Sequence, residues 1–215
     1  MKYTASVMWS IPSYLQRHCL IIFPVWRLPT PSLKHLNNNQ IMNSGKKRIT
    51  CFAPLFDQHS KILVLGTMPG NESLYQGMYY ANTKNLFWDF MYRILVPDYP
   101  PYQLLDKDTP KQARYELLKA NHIALWDIVA DCFRSDNRDS KIIDPRFNDI
   151  AGFVKSTNIK AVICNGAKSN EYLEIAGQKP QIAIPVHILG STSTSNQTNP
   201  FKTFGQWRDT FNALS

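Results

Sequence analysis

The chain has 215 residues and a formal charge of +8, and its apolar share of 44% is enough for one domain with a proper core. That mild basicity suits a polyanionic partner without demanding one. Cys19, Cys51, Cys132 and Cys164 form no C-x-x-C pair, and His18, His35, His59, His122 and His187 are scattered. A zinc or redox centre is therefore not expected, and the thiols read as those of a cytoplasmic protein.

Residues 1–41 differ from the remainder. They hold Lys2, Arg17, Arg27 and Lys34, no acid and four prolines, which leaves a charge of only +4 on the other residues. The apolar run Leu20-Ile21-Ile22-Phe23 is cut by Pro24, so it is too short to span a bilayer, and no small-x-small cleavage site follows it. We expect residues 1–41 to be a disordered leader, or sequence ahead of the natural start, with Met42 the start candidate. Residues 42–215 then form the domain, with no membrane segment.

Lys61–Gly66 predicts a buried strand, with four consecutive branched apolar residues ended by glycine. Asn85–Leu95 predicts a helix on the spacing of Leu86, Phe87, Phe90, Met91 and Ile94, stopped by Pro97. A loop follows, then a helix over Pro110–Asn121 with Thr109 as its cap. Ile123–Trp126 predicts a second strand and Asp131–Lys141 a charged loop. Arg146–Ser156 predicts an amphipathic helix with Phe147, Ile150, Ala151 and Val154 on one face. Lys160–Cys164 predicts a strand that puts Cys164 in the core, turning at Asn165-Gly166 into a helix to about Ala176. Pro185–Leu189 predicts a last strand, Gly190–Asn199 a polar loop, and Pro200–Leu214 a closing helix.

Strands separated by helices imply an α/β fold with three α/β/α layers, around a mostly parallel four-stranded sheet. Ligands of such sheets bind beyond the carboxyl ends of the strands. The loops after Gly66, Trp126 and Leu189 converge there.

Each feature of these loops has two readings. The turn Gly66-Thr67-Met68-Pro69-Gly70 offers backbone N–H groups to an anion or a base carbonyl, or it is an ordinary turn. It is neither a P-loop nor G-x-G-x-x-G. Tyr79 and Tyr80 either stack on a flat ring or divide between core and surface. Asn85 is a helix cap, or an amide that orients water or bonds a base, and Asn82 competes for that role. Ser191, Thr192, Ser193 and Thr194 either grip phosphates or form a solvated loop. For Arg134, Arg138, Asp139 and Lys141 a solvated surface is the better reading.

The order of these features carries more than any one of them. Lys61-Ile-Leu-Val-Leu-Gly-Thr-Met-Pro-Gly70 is followed by Ser73-Leu74, Tyr79-Tyr80-Ala81 and Asn85-Leu-Phe-Trp88. Then come Ala124-Leu-Trp-Asp127-Ile-Val-Ala, Cys132, Arg134, Asp139-Ser140, Ile142, Asn165-Gly-Ala-Lys168 and Ile188-Leu-Gly-Ser-Thr-Ser193. From about Ile49 onward, roughly four-fifths of the chain, this resembles the uracil-DNA glycosylase superfamily, and within it the DNA-deoxyinosine (hypoxanthine-DNA) glycosylase branch.

The resemblance implies a glycosylase that flips a deaminated base out of DNA and hydrolyses its N-glycosidic bond without cofactor, metal or Schiff base. Gly66–Gly70 would line the base pocket with Tyr79, Tyr80 and Asn82. Mismatch-specific uracil glycosylases read G-I-N-P-G there with a catalytic Asn, whose place Met68 takes here. Asn85, before x-Phe-Trp, would be the catalytic residue of the deoxyinosine branch. Ser191, Thr192, Ser193 and Thr194 would grip DNA, with Lys84 and Arg134 as further DNA contacts. The branch usually reads His-Pro-Arg-Asn where this chain has Asn82-Thr83-Lys84-Asn85, and Pro-Ser-Thr-Ser-Pro where it has Gly190-Ser-Thr-Ser-Thr194. A monomer is expected. The rival readings are a G·U-specific uracil glycosylase and a non-catalytic module that binds lesion DNA.

Overall fold

The computed structural model describes residues 47–100, 106, 108–135, 139–193 and 199–214. The expected leader 1–41, Arg138 and Thr194 lie outside the described residues.

Four strands make the central sheet: β2 (Ile62–Gly66), β3 (Ile123–Asp127), β6 (Ala161–Asn165) and β7 (Val186–Leu189). Their order is β3-β2-β6-β7, and every pairing is parallel. β2 is buried along its whole length because both faces are covered. Successive side chains of a strand point to opposite faces, so β2 supplies two cores. Leu63 and Leu65 pack with Ala124, Val162 and Cys164 against α4 (Ile150–Ser156) and α5 (Ala167–Ile175). Ile62 and Val64 pack with Ile123, Leu125 and Ile163 against α2 (Phe87–Leu95), α3 (Lys111–Ala120) and α6 (Pro200–Leu214). This is the expected three-layer arrangement, and Cys164 is fully buried in it.

Three local expectations are corrected. The stretch expected as a charged loop begins as β4 (Val129–Arg134), the central strand of an antiparallel sheet with β1 (Ile49–Thr50) and β5 (Ile142–Phe147). Phe147 therefore belongs to β5, and the next helix starts only at Ile150, where the Asp149 carboxylate accepts the Gly152 N–H at 2.8 Å. The cap of α3 falls on Pro110, whose side chain makes no cap bond, rather than on Thr109. A short helix, α1 (Asn71–Gln76), follows the Gly66–Gly70 turn and ends at Gly77 in the left-handed region (φ 61°).

Arg48 pins the antiparallel sheet. It pairs with Asp131 of β4 and with Asp144 of β5, and lies over the Phe133 ring at 4.6 Å. The last residue of β4, Arg134, is thereby delivered beside the carboxyl ends of β2 and β3.

Candidate active site

The parallel register sets Gly66 beside Asp127, and Asn165 beside Leu189. The chain segments that leave these four residues meet above the sheet, as expected for this architecture.

The Gly66–Gly70 turn is held from one side. The Gly66 carbonyl accepts the Ile128 N–H, and the Thr67 carbonyl accepts the Val129 N–H, both at 3.0 Å. The Pro69 carbonyl accepts from Arg134 Nη2 at 2.6 Å. The Met68 side chain turns down into the core beside Leu63, Leu65 and Ile128. Gly66 must lack a side chain, because a Cβ there would strike the Asp127 carboxyl and sit 3.2 Å from the Tyr80 hydroxyl. Gly66→Ala is therefore expected to lower stability by about 1–3 kcal/mol. It should also displace Asp127, which thermal melts and base-release assays of the variant will show.

Asp127 ends β3 and is 4% exposed, and its Oδ2 has no partner among the described residues. Burial first, and then the neighbouring Asp139 carboxyl, push it up to about 8, against the pull of Arg134. Asp139 is also pushed up by burial, while a hydrogen bond with the Thr67 side chain and the charges of Arg134 and Lys168 oppose that shift. A buried carboxyl held neutral at pH 7 both donates and accepts a hydrogen bond.

The two tyrosines separate in role. Tyr79 is core: its hydroxyl donates to the Ala53 carbonyl at 3.1 Å, and its ring meets Phe52 edge-on. That accounts for Tyr79 without a base, so the expectation that it stacks in the pocket is corrected. Tyr80 has a left-handed backbone (φ 53°), an uncommon conformation for a bulky residue. Its ring stacks on Phe87 at 4.1 Å, and its hydroxyl, hydrogen-bonded with the Asn165 side chain, lies close to Gly66.

Asn85 closes a tight turn in which its own N–H donates to the Asn82 carbonyl and Asn82 Oδ1 accepts the Lys84 N–H. Its Oδ1 accepts the Phe87 N–H at 3.0 Å, so Asn85 caps α2 from outside the helix. Its NH2 has no acceptor among the described residues. Asn85 lines an open cleft with Tyr80, Asn82, Trp88, Asp89 and Arg114. The Gly66–Gly70 turn does not line this cleft, and Tyr80 is the residue common to both. Lys84 is exposed beside Asn85.

The loop after β7 is joined to that turn. Asn85 and Ser193 form an antiparallel bridge, and the Leu86 N–H donates to the Thr192 carbonyl at 2.9 Å. Thr192 is fully buried and paired reciprocally with Asn165: Asn165 Nδ2 donates to its hydroxyl, and its N–H donates to Asn165 Oδ1. That burial removes the Thr192 side chain from contact with DNA. Ser191 and Ser193 are half-buried, with the Ser193 N–H donating to the Ser191 hydroxyl at 3.2 Å. From α6, Trp207 Nε1 fixes the Gly190 carbonyl at 2.8 Å. Arg134 also departs from expectation, pointing inward at Pro69 rather than outward at a DNA backbone.

Residue reading gave Asp127 and Asn165 no role, although Asp127 had a signal. A carboxylate that ends the otherwise apolar run Ile-Ala-Leu-Trp-Asp is carried into the interior by its strand. No group of acids, histidines or cysteines suited to a metal ion is found among the described residues.

A sequence model described as the uracil DNA glycosylase superfamily matches residues 53–214. The chain is similar to a hypoxanthine DNA glycosylase of Methanosarcina barkeri, 32% identical over 74% of this chain and 96% of that one. A hypoxanthine DNA glycosylase of Methanosarcina acetivorans is 28% identical over the same shares. The solution NMR structure of a candidate uracil DNA glycosylase from Methanosarcina acetivorans superposes with a TM-score of 0.64 at 27% identity, covering 78% of this chain and 99% of that one. The matched range includes the strand ends, the Gly66–Gly70 turn and Asn85, and the chain belongs to the uracil DNA glycosylase superfamily.

Proposed function

We propose that the protein acts as a monomer on DNA carrying a deaminated base, and that it hydrolyses the N-glycosidic bond of deoxyinosine to release hypoxanthine. The observation that carries this reading is the amide NH2 of Asn85, which has no acceptor among the described residues and is set on the turn that bridges to Ser193. The relatives named as hypoxanthine DNA glycosylases support the choice of base.

Flipping the nucleotide out costs a few kcal/mol, less when the base is mispaired. Asn85 holds water against C1′. An amide is a weak base, so the leaving group carries the reaction: the C1′–N9 bond breaks with its electron pair on the base, and the water oxygen bonds to C1′. The proton that the water loses balances the one that the departing purine gains through solvent. N–H groups of the Thr67–Gly70 turn stabilise the negative charge on the base. The neutral Asp127 carboxyl matches a ring edge with adjacent N–H and C=O groups, as hypoxanthine has at N1 and O6.

Uracil presents a similar edge to the Asp127 carboxyl, so the uracil-specific reading stands as the second one. Duplexes with one deoxyinosine or one deoxyuridine, incubated with the full chain and assayed for free base, decide between them. Hypoxanthine release without β-elimination products is the expected result. Release of uracil alone moves the assignment to the second reading. Binding with no release of either base overturns both.

A further inference from the structure

The direction of the N–H groups in the Gly66–Gly70 turn is set by what holds its carbonyls. Across a trans peptide, the C=O of one residue and the N–H of the next point in opposite directions. The Gly66 and Thr67 carbonyls are engaged by the Ile128 and Val129 N–H groups, so the Thr67 and Met68 N–H groups point away from that segment. In the sheet order β3-β2-β6, away from β3 means toward β6, where Tyr80 and Asn165 stand. The Pro69 carbonyl has no backbone partner among the described residues. Arg134 Nη2 takes that place at 2.6 Å, which turns the Gly70 N–H away from Arg134 in the same way. None of these N–H groups, of Thr67, Met68 or Gly70, has an acceptor among the described residues.

Two more observations set Arg134 apart from an ordinary structural arginine. Among the described residues its Nε and Nη1 are buried without a partner and no ion pair to it is found. A guanidinium left in that condition is costly to keep and is weak support for the fold. It also stands at the edge of an acidic pair, Asp127 and Asp139, and Asp139 shares a hydrogen bond with the Thr67 side chain. Arg134 and Asp139 together therefore fix the turn at Pro69 and at Thr67.

We infer that Arg134 is a positioning residue: its grip on the Pro69 carbonyl aims the Gly70 N–H, in line with those of Thr67 and Met68, at the leaving base. This rests on the glycosylase reading above. It replaces the sequence-based expectation of a DNA contact with a role in the chemical step. The guanidinium charge behind the turn acts in the same sense, because it lies in a low-dielectric site on the far side of the donors from the developing anion.

The test compares the full-length protein with Arg134→Ala and Arg134→Lys. In single-turnover assays on deoxyinosine DNA at saturating enzyme, Arg134→Ala should lose about 100-fold in rate. Duplex affinity and its salt dependence should stay as in the unaltered protein. Arg134→Lys, which can still donate to the Pro69 carbonyl, should recover part of the rate. A phosphate contact would do the reverse, leaving the saturated rate unchanged and lowering the salt slope by about one; that result overturns the inference.

Backbone amide NMR of the free proteins supplies a readout that needs no catalysis. Arg134→Ala should move the Gly70 amide resonance while leaving residues of β6 and α6 in place. A Gly70 amide that does not move overturns the inference whatever the rates. Absence of base release from the unaltered protein, with the Gly70 amide displaced in the variant, overturns the glycosylase reading and leaves the grip of Arg134 standing.

Discussion

Asn85→Ala should cut hypoxanthine release from deoxyinosine DNA by about 100- to 1000-fold, because in the mechanism we propose it removes the group that holds the attacking water against C1′. The same substitution removes the acceptor for the Phe87 N–H, so it also carries a capping loss of about 0.5–2 kcal/mol. For a chain of this size that is a fall in Tm of a few degrees. Asn85→Ser separates the two effects. Serine is a good cap but has no amide, so its melt should return toward that of the unaltered protein while its rate stays low. If Asn85→Ala keeps its rate, Asn85 is only a cap, and the water belongs to another residue, with Asn82 the first to examine.

The second large effect is carried by Asp127. Its ordinary value is 3.8 and its folded value is about 8. Below the ordinary value the carboxyl is neutral in both the folded and the unfolded chain. Between the two values the folded state keeps a proton that the unfolded state gives up. Stability therefore falls as pH rises from about 4 to about 8, and is flat beyond. Asp127→Asn cannot ionise, so its stability advantage over the unaltered protein, followed as the difference in Tm, should widen across that window and then level off, the free-energy gap reaching the order of a few kcal/mol.

Cys51, Tyr79, Tyr80 and Tyr115 also face this carboxyl and all are pushed up, so they stay protonated through the window. Arg134 adds a fixed positive charge. Asp139 titrates with Asp127 as a pair, and Asp139→Asn is the control for its share. Activity should follow the same logic. Base release by the unaltered protein falls as pH passes about 8, relative to Asp127→Asn, in which the same edge of donor and acceptor persists. Titration of the lesion itself affects both proteins alike and cancels in the ratio. A Tm difference that is flat with pH would show that the carboxyl ionises at its ordinary value.

The sheet was legible in the sequence because β2 and β6 are covered on both faces, and such strands read as unbroken apolar runs. The antiparallel sheet was not, for reasons that can be named. β5 contains Pro145 and has Asp144 in the left-handed region (φ 49°), features tolerated because β5 is an edge strand. β4 is irregular at Val129/Asp131 and again at Asp131/Phe133, which breaks the alternation that marks a half-buried strand. At the site, glycine, tyrosine and asparagine stood out by type. Their partners could not, since Tyr80 beside Gly66, Asn165 on Thr192 and Arg134 on Pro69 are contacts made only by the folded chain.

The bridge between Asn85 and Ser193, with the Leu86-to-Thr192 bond beside it, bears on how the two loops respond to substitution. Residues 82–84 and 190–192 are more than a hundred positions apart in the chain but lead into that one bridge from its two sides. A change of length or stiffness on either side is passed to the other through two backbone contacts rather than through side chains. A substitution on one side is therefore read against the sequence of the other, and double variants across the bridge should depart from the sum of the single ones.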